Sequence, residues 1–251
     1  MTASDTTAVG IDIGGTGIKA AVIDVSTGAL LSKRVKTPTP PGGEPQDILA
    51  AAAALVRSLP STDSPVGVAF PSVVKNGHTF TASNVSDSWV GLPAEQIFAE
   101  QLDRPVVLMN DADAAGLAEQ RYGAARGQSG LVLVTTLGTG IGTAFVYNGV
   151  LQPNVELGHL QWQGGSAEQQ LSARARERRD LPWDEWGREL TGLYRHMERL
   201  FSPELFIISG GVSKRPELFL PYIDIATPIA VATLANNAGI IGAAALAADS
   251  A

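Results

Sequence analysis

Apolar positions in the first forty residues fall in short bursts. "AVGIDIG" (8–14), "IKAAVID" (18–24) and "GALLSKRVK" (28–36) are runs of apolar or alternating character, parted by glycines and a Ser-Thr-Gly turn. Period-two or continuous apolar runs of that length predict three antiparallel strands. "TPTPPGGEP" (37–45) then breaks the pattern, being too rich in Pro and Gly for either regular structure, and reads as a connection. From Asp47 to Leu59, Ala-rich sequence with Leu and Val at helical spacing predicts a helix, and "PVGVAFP" (65–71) a buried strand.

The second half repeats this order. Residues 130–151, "GLVLVTTLGTGIGTAFVYNGVL", read as strand, Gly/Thr turn and strand. A long charged helical stretch is expected from about Leu171 to Phe201, followed by the apolar strand "LFIISGG" (205–211). "PIAVATL" and "NNAGIIGAAALAA" close the chain as a strand and a helix. Two similar units predict a duplicated α/β fold with a cleft between two lobes. The expected division is 1–109 plus about 238–251 for the smaller lobe and 110–237 for the larger.

Composition narrows the chemistry. With 251 residues, 45% of them hydrophobic and 17% charged, the chain has the makings of a sizeable core. Its net charge of −7 argues against general attraction to nucleic acid or to anionic membranes, so a polyanionic ligand needs a local basic track. The absence of cysteine excludes disulfides, thiolate metal sites and thiol nucleophiles, and suits a reducing cytoplasm. The opening "MTASDTTA" has neither the basic nor the apolar region of a secretion signal, and "AGIIGAAALAA" is too short for a bilayer.

Two glycine turns carry the candidate chemistry. "GTGIG" (138–142) follows an apolar strand, but its continuation "TAFVYNGVL" is β-branched and aromatic, so the turn closes a hairpin and opens no dinucleotide-binding helix. No G-x-x-x-x-G-K-[ST] sequence is present either. What remains is one glycine hairpin in each repeat, able to present backbone N–H groups to phosphate oxygens with no Cβ in the way. The first also holds an acid, Asp12, and a cation, Lys19; taken alone it would pass for a tight turn with incidental charges.

"DIGGTGIKAAVID" (12–24) resembles the phosphate loop of the actin-like sugar kinases of the ROK (repressor, open reading frame, kinase) family. The resemblance implies a two-lobed, ribonuclease H-like fold of duplicated βββαβα units. It gives Asp12 a role in holding Mg²⁺ through water, places Gly14, Gly15 and Thr16 along the phosphate path, and lets Lys19 add positive charge there. Gly138, Thr139 and Gly140 would form the second loop, with Gly210 and Gly211 near an adenosine.

The sugar side follows from the same resemblance. Asn110 and Asp111 sit after an apolar strand at a helix start, where an Asp in isolation is simply a cap. In the family this pair binds sugar and its Asp is the general base. "ELGH" (156–159) keeps Glu156 and His159 of the family's Glu-x-Gly-His motif, while the three cysteines that complete a zinc site in many members are absent. A structural zinc of that kind is therefore excluded, leaving His159 for sugar hydroxyls. Glu168, with Ser172 four residues on, resembles the family's second sugar-binding glutamate, although a solvated acid at a helix start fits the residue equally. Asn84 is a further expected sugar contact, and the neighbouring Trp89 is expected to pack.

"NDADAAGLAEQRYGAARG", "GTGIGTAFVYNGVLQPN" and the cysteine-free "ELGH" segment are similar to the family's polyphosphate-using glucokinases of actinobacterial type. That similarity implies phosphoryl transfer from inorganic polyphosphate or ATP to the 6-hydroxyl of glucose, with mannose as a second acceptor and a homodimer as the assembly; the alternative is a strictly ATP-dependent hexokinase. Candidate cations for a long phosphate chain are Lys19, Arg121, Arg126, Lys214 and Arg215, with Arg174–Arg179 a weaker choice because charged helix faces are usually just solvated. A repressor of the same family would need a helix-turn-helix ahead of the phosphate loop, and eight residues precede Val9. An actin-like ATPase would not need the Asn110, Asp111, Glu156 and His159 set, whose acids, amide and imidazole match a ring of hydroxyls.

Overall fold

The structure is a computed structural model that describes residues 6–60 and 63–250. Met1 to Asp5, most of the polar opening, lie outside the described residues. The chain separates into two compact units, one running to Ala118 and resuming at Asn237, the other spanning Glu119–Asn236.

In the first unit β1 (Thr7–Ile13) and β2 (Gly17–Asp24) pair antiparallel, and their register sets Asp12 opposite Lys19. The expected third strand is divided: β3 (Ala29–Leu30) and β4 (Val35–Pro38) both pair with β2, separated by residues 31–34 with a bend at Leu31 and Ser32. The Pro/Gly-rich stretch is also more ordered than its composition suggests. Its first residues complete β4, and Pro41–Gly43 form a single tight turn before α1 (Pro45–Ser58). Ile48, Leu49, Ala52, Ala53 and Leu55 recur at helical spacing and give α1 its buried face.

β5 (Val66–Phe70), buried at every position, lies parallel to β1. A small hairpin of β6 (Val74–Lys75) and β7 (His78–Thr79) and the helix α2 (Ala94–Leu102) lead to β8 (Val106–Asn110), parallel to β5. The sheet order is therefore β3-β2-β1-β5-β8. Trp89 packs as expected: it is fully buried, stacks on Phe98 at 5.8 Å, and its Nε1 donates to the Gly43 carbonyl at 2.9 Å.

The helix α3 (Asp111–Tyr122) begins directly after β8, and the division between the units falls within it. In the second unit β9 (Leu131–Leu137) and β10 (Ile141–Tyr147) form an antiparallel hairpin extended by β11 (Val150–Gln152). A two-residue hairpin, β12 (Gln161–Trp162) and β13 (Gly165–Ser166), precedes the helices α4 (Ala167–Leu171), α5 (Ala173–Arg178) and α6 (Trp183–Phe201). The helical stretch expected from about Leu171 to Phe201 is thus divided into α5 and α6, with α4 ending where it was expected to begin. Ser172 has extended backbone and its Oγ accepts from the Ala175 amide, ending α4 and capping α5. Asp180 has φ of +50° and Pro182 has no N–H, so the chain must turn before α6 starts.

β14 (Leu205–Ser209) runs parallel to β9, and β15 (Ile229–Val231) parallel to β14, giving the order β11-β10-β9-β14-β15. The two sheets share one topology: a hairpin and its extension, then two parallel strands. The last helix, α7 (Ala238–Asp249), packs on the first sheet backbone to backbone. A methyl at Gly10 would lie 1.9 Å from the Ile240 carbonyl oxygen, and one at Gly67 would lie 1.8 Å from that of Ala243.

Candidate active site

In the first unit, β1, β5 and β8 are parallel, so Ile13, Phe70 and Asn110 end at one edge of the sheet. Carboxyl edges of parallel strands are where α/β sheets place their ligands, because the chain leaves the sheet there and exposes backbone groups. Gly14 to Gly17 make the β1–β2 turn, closed by the Gly14 amide on the Gly17 carbonyl at 3.0 Å and tied by the Thr39 hydroxyl donating to the Gly14 carbonyl at 2.5 Å. Gly15 and Thr16 are exposed at its tip. Just below, Lys19 Nζ donates to Asp12 Oδ2 at 2.7 Å, with the two side chains 30% and 14% exposed. Half-burial at a cross-strand site makes this pair stronger than a surface ion pair while leaving both groups within reach of a ligand.

Two neighbours fix this turn. A methyl at Gly15 would meet Asn84 Cβ at 2.5 Å, so the exposed Asn84, held at φ +64°, lies directly against this turn. Gly239, in the first turn of α7, approaches from the C-terminal end of the chain; a methyl there would sit 2.9 Å from Asp12 Cγ. Sequence reasoning missed Gly239, because a helix glycine far along the chain carries no local sign of the carboxylate it accommodates.

Asn110 and Asp111 divide their tasks. Asn110, 6% exposed, accepts from the amides of Ala112 at 2.8 Å and Asp113 at 3.1 Å and donates from Nδ2 to the Ser72 carbonyl at 3.1 Å. The helix cap is thus Asn110, and the capping explanation of the pair applies to it. Asp111, half-buried as the first residue of α3, also accepts from the Ala112 amide, through Oδ1 at 2.8 Å.

The second unit has its own set. β9 and β14 are adjacent and parallel, and each runs straight into glycine: Leu137 into the turn Gly138–Thr139–Gly140, Ser209 into Gly210–Gly211. Thr139 is the exposed tip of the first turn. Gly210 has φ of +90°, and a methyl there would strike the Leu137 carbonyl oxygen at 2.4 Å, so the two turns touch. Gly211 has open space where a side chain would be.

Beside these turns lie the three polar residues of the expected sugar side. The buried Thr143 hydroxyl bonds the Val155 carbonyl and accepts from the Leu157 amide at 3.0 Å, pinning the backbone on both sides of Glu156. Gly158 lets this loop press on β10, since a methyl there would lie 2.1 Å from the Ile141 carbonyl oxygen. Glu168, in the first turn of α4, reaches the hairpin: a methyl at Gly140 would be 2.5 Å from its Oε2. His159 is exposed, with Nδ1 3.9 Å from Glu168 Oε1. Burial pushes the Glu156 carboxyl above its ordinary range, opposed by His159 and reinforced by the negative charge of Glu168. Ser172 lies buried as the cap of α5.

One buried acid went unnoticed in the sequence. Glu119 is fully buried and accepts from the amides of Ala124, Thr233 and Leu234 and from the Thr233 hydroxyl, at 2.8 to 3.2 Å. Four donors satisfy the carboxylate, so it braces the end of α3 against the 233–234 segment. Of the Arg-rich stretch, Arg179 makes two hydrogen bonds to Glu189, Arg178 donates to the Gln169 carbonyl, and Arg176 donates to the Leu181 carbonyl while lying 3.9 Å over the Trp183 ring. Among the described residues no cluster of three or more His, Cys, Asp or Glu is arranged to hold a metal.

The profile of the ROK family matches residues 8–173. A polyphosphate glucokinase of Mycobacterium tuberculosis (strain CDC 1551 / Oshkosh) is 42% identical over 236 residues, 94% of this chain and 89% of that protein. The chain belongs to the ROK family. Within it, the crystal structure of an inorganic polyphosphate/ATP-glucomannokinase from Arthrobacter sp. strain KM shares 48% identity and a TM-score of 0.95, over 98% of this chain and 100% of that one. A ROK family glucokinase from Streptomyces griseus, solved in complex with glucose and AMPPNP, aligns with a TM-score of 0.80 at 26% identity, over 97% and 99% of the two chains. The fold is the two-lobed, actin-like fold of the ROK sugar kinases, and the duplicated α/β expectation holds.

Proposed function

We propose that the chain transfers the terminal phosphoryl group of inorganic polyphosphate or ATP to the 6-hydroxyl of glucose, and that it accepts mannose as well. The observation that carries the reading is the carboxyl edge of the first sheet, where an acid–lysine pair under a glycine turn shares the edge with Asp111, in a chain whose relatives are glucokinases.

In this reading Asp111 takes the proton of the sugar hydroxyl as that oxygen attacks phosphorus. General-base assistance of this kind contributes roughly 10²- to 10⁴-fold. Asn110 holds the start of α3 in place beneath it, and Asn84, Asn110, Glu156, His159 and Glu168 bind the sugar hydroxyls. Gly14, Gly15, Thr16, Gly138, Thr139, Gly140, Gly210 and Gly211 offer backbone amides to phosphate oxygens. Lys19 neutralises charge that develops on the leaving phosphate.

Mg²⁺ fits the donor set. Magnesium keeps several waters and is held through one or two carboxylates plus substrate phosphates, without a dedicated protein cage. Asp12 supplies such a carboxylate, partly buried and matched with a single lysine. When bound, the ion supplies positive charge at the phosphates. A homodimer working in the cytoplasm completes the proposal. No helix among the described residues is long and apolar enough to cross a membrane.

The test is direct: purified protein, Mg²⁺, glucose or mannose, and either ATP or long-chain polyphosphate, with sugar 6-phosphate measured. Product from polyphosphate and glucose is expected. No product with either donor overturns the kinase reading, and product with ATP alone replaces it by the strictly ATP-dependent one.

A further inference from the structure

Resting on that proposed function, a second question is where a phosphate chain longer than that of ATP is held on a protein of net charge −7. The structure separates the candidate cations. Lys19, paired with Asp12, is already assigned to the reacting phosphate. Arg121 and Arg126 belong to α3 and the turn after it, whose Ala124 and Ala125 pack with Val132, Val134 and Ile207. α6 packs on the other face of that sheet, against Leu133, Phe206 and Ile208. Arg176, Arg178 and Arg179 are spent on carbonyls and on Glu189.

Three cations remain beside the glycine turns of the second unit. The backbone amide of Arg174 donates to the Gly138 carbonyl at 3.2 Å, which anchors that residue at the phosphate hairpin, and its side chain is exposed. Lys214 and Arg215 follow the Gly210–Gly211 turn, both exposed. Arg215 lies 5.4 Å over the ring of Trp183, whose position Arg176 also fixes. That ring is braced from behind by Trp186 at 5.6 Å and Phe219 at 6.1 Å, both fully buried. The flanking acids are Glu177, 3.9 Å from Arg176, and the exposed Glu217. Among the described residues neither pairs with Arg174, Lys214 or Arg215.

We propose that Arg174, Lys214 and Arg215, which follow the glycine turns at the carboxyl ends of β9 and β14 with Arg215 over the Trp183 ring, bind the phosphates of inorganic polyphosphate that lie beyond those ATP also presents, and so determine the preference between the two donors. Stacking on a braced indole limits the motion of the Arg215 guanidinium, so less side-chain entropy is lost when it captures an anion. A short donor ends before reaching these cations; a long one gains charge-assisted contacts at each.

The experiment replaces all three residues (Arg174→Gln, Lys214→Gln, Arg215→Gln) and compares the variant with a control that removes equal charge from α6 (Arg188→Gln, Arg195→Gln, Arg199→Gln). KM is measured for ATP, tripolyphosphate and long-chain polyphosphate, and binding of long-chain polyphosphate without sugar is measured in parallel at several salt concentrations. Expected for the first variant is a rise of about tenfold or more in KM and Kd for the long chain, a salt dependence flattened by roughly one unit of log–log slope per cation removed, and unchanged constants for ATP and glucose. The control should match the unmodified enzyme. Equal shifts with ATP and polyphosphate, equal effects of the two variants, or unaltered polyphosphate binding would overturn the proposal. An unmodified enzyme that turns over no donor refutes the kinase reading instead, and the binding measurement still decides whether these cations hold the chain.

Discussion

Asn110 and Asp111 are adjacent, similar in size, and different in consequence. Asn110 satisfies two first-turn amides and the Ser72 carbonyl from a buried position, so Asn110→Ala is expected to lower stability by about 1–2 kcal/mol, seen as a lower midpoint in urea. Asp111→Asn keeps an acceptor for the Ala112 amide and should melt near the native temperature while kcat falls about 10²- to 10⁴-fold. A variant with near-normal kcat would return Asp111 to a purely structural role. Glu156 gives a pH signature. Its carboxyl is raised in the fold, so its contribution to stability is fully present below the ordinary carboxylate range and is lost as pH rises through the raised value. Glu156→Gln should therefore increase Tm more in neutral buffer than in acid, while weakening glucose binding; thermal scans across pH read the first effect and glucose titration the second. The presence of an Asn-Asp pair at a helix start was legible from sequence. Which of the two is the cap was not, since that depends on the dihedral angles of the first turn.

Among the elements, strands bounded by glycine were the easiest to foresee, because period-two patterns are local. The stretch around residues 167–201 was harder: its composition is helical almost throughout, and the breaks come from one serine hydroxyl and one proline. The packing of α7 left less trace still. Gly10 and Gly67 sit inside strands, where glycine signals either a bulge or a close backbone approach, and only the tertiary fold shows that it is the second. Gly67→Ala would drive a methyl to 1.8 Å from the Ala243 carbonyl oxygen, forcing α7 outward. Overpacking of this kind typically costs about 1–3 kcal/mol, occasionally more, and denaturant unfolding should show it at the upper end. A loss under half a kcal/mol would mean that the helix shifts without penalty.

At the level of the whole molecule, two sheets of identical strand order each offer a glycine turn at the carboxyl edge, and the sequence announced this through its repeated strand–turn–strand pattern. The family resemblance supplied what pattern cannot, namely the roles of residues such as Glu168, whose contact with Gly140 links positions 28 residues apart by number. Metal dependence follows from the donor chemistry. A chelator of divalent cations should abolish turnover and added Mg²⁺ should restore it, because Asp12 is a hard oxygen ligand and the phosphates need neutralising. A zinc-selective chelator should leave the rate unchanged, since the chain contains no cysteine.

The seating of α7 on β1 and β5 also governs the order in which the protein matures on the ribosome. Residues 119–236 form a contiguous unit that is synthesised before α7. The earlier-made sheet must wait with Gly10 and Gly67 uncovered until the last helix is released. Of the two sheets, the one made earlier is the later to be covered, and for that interval its bare apolar surface is exposed to chaperones and proteases.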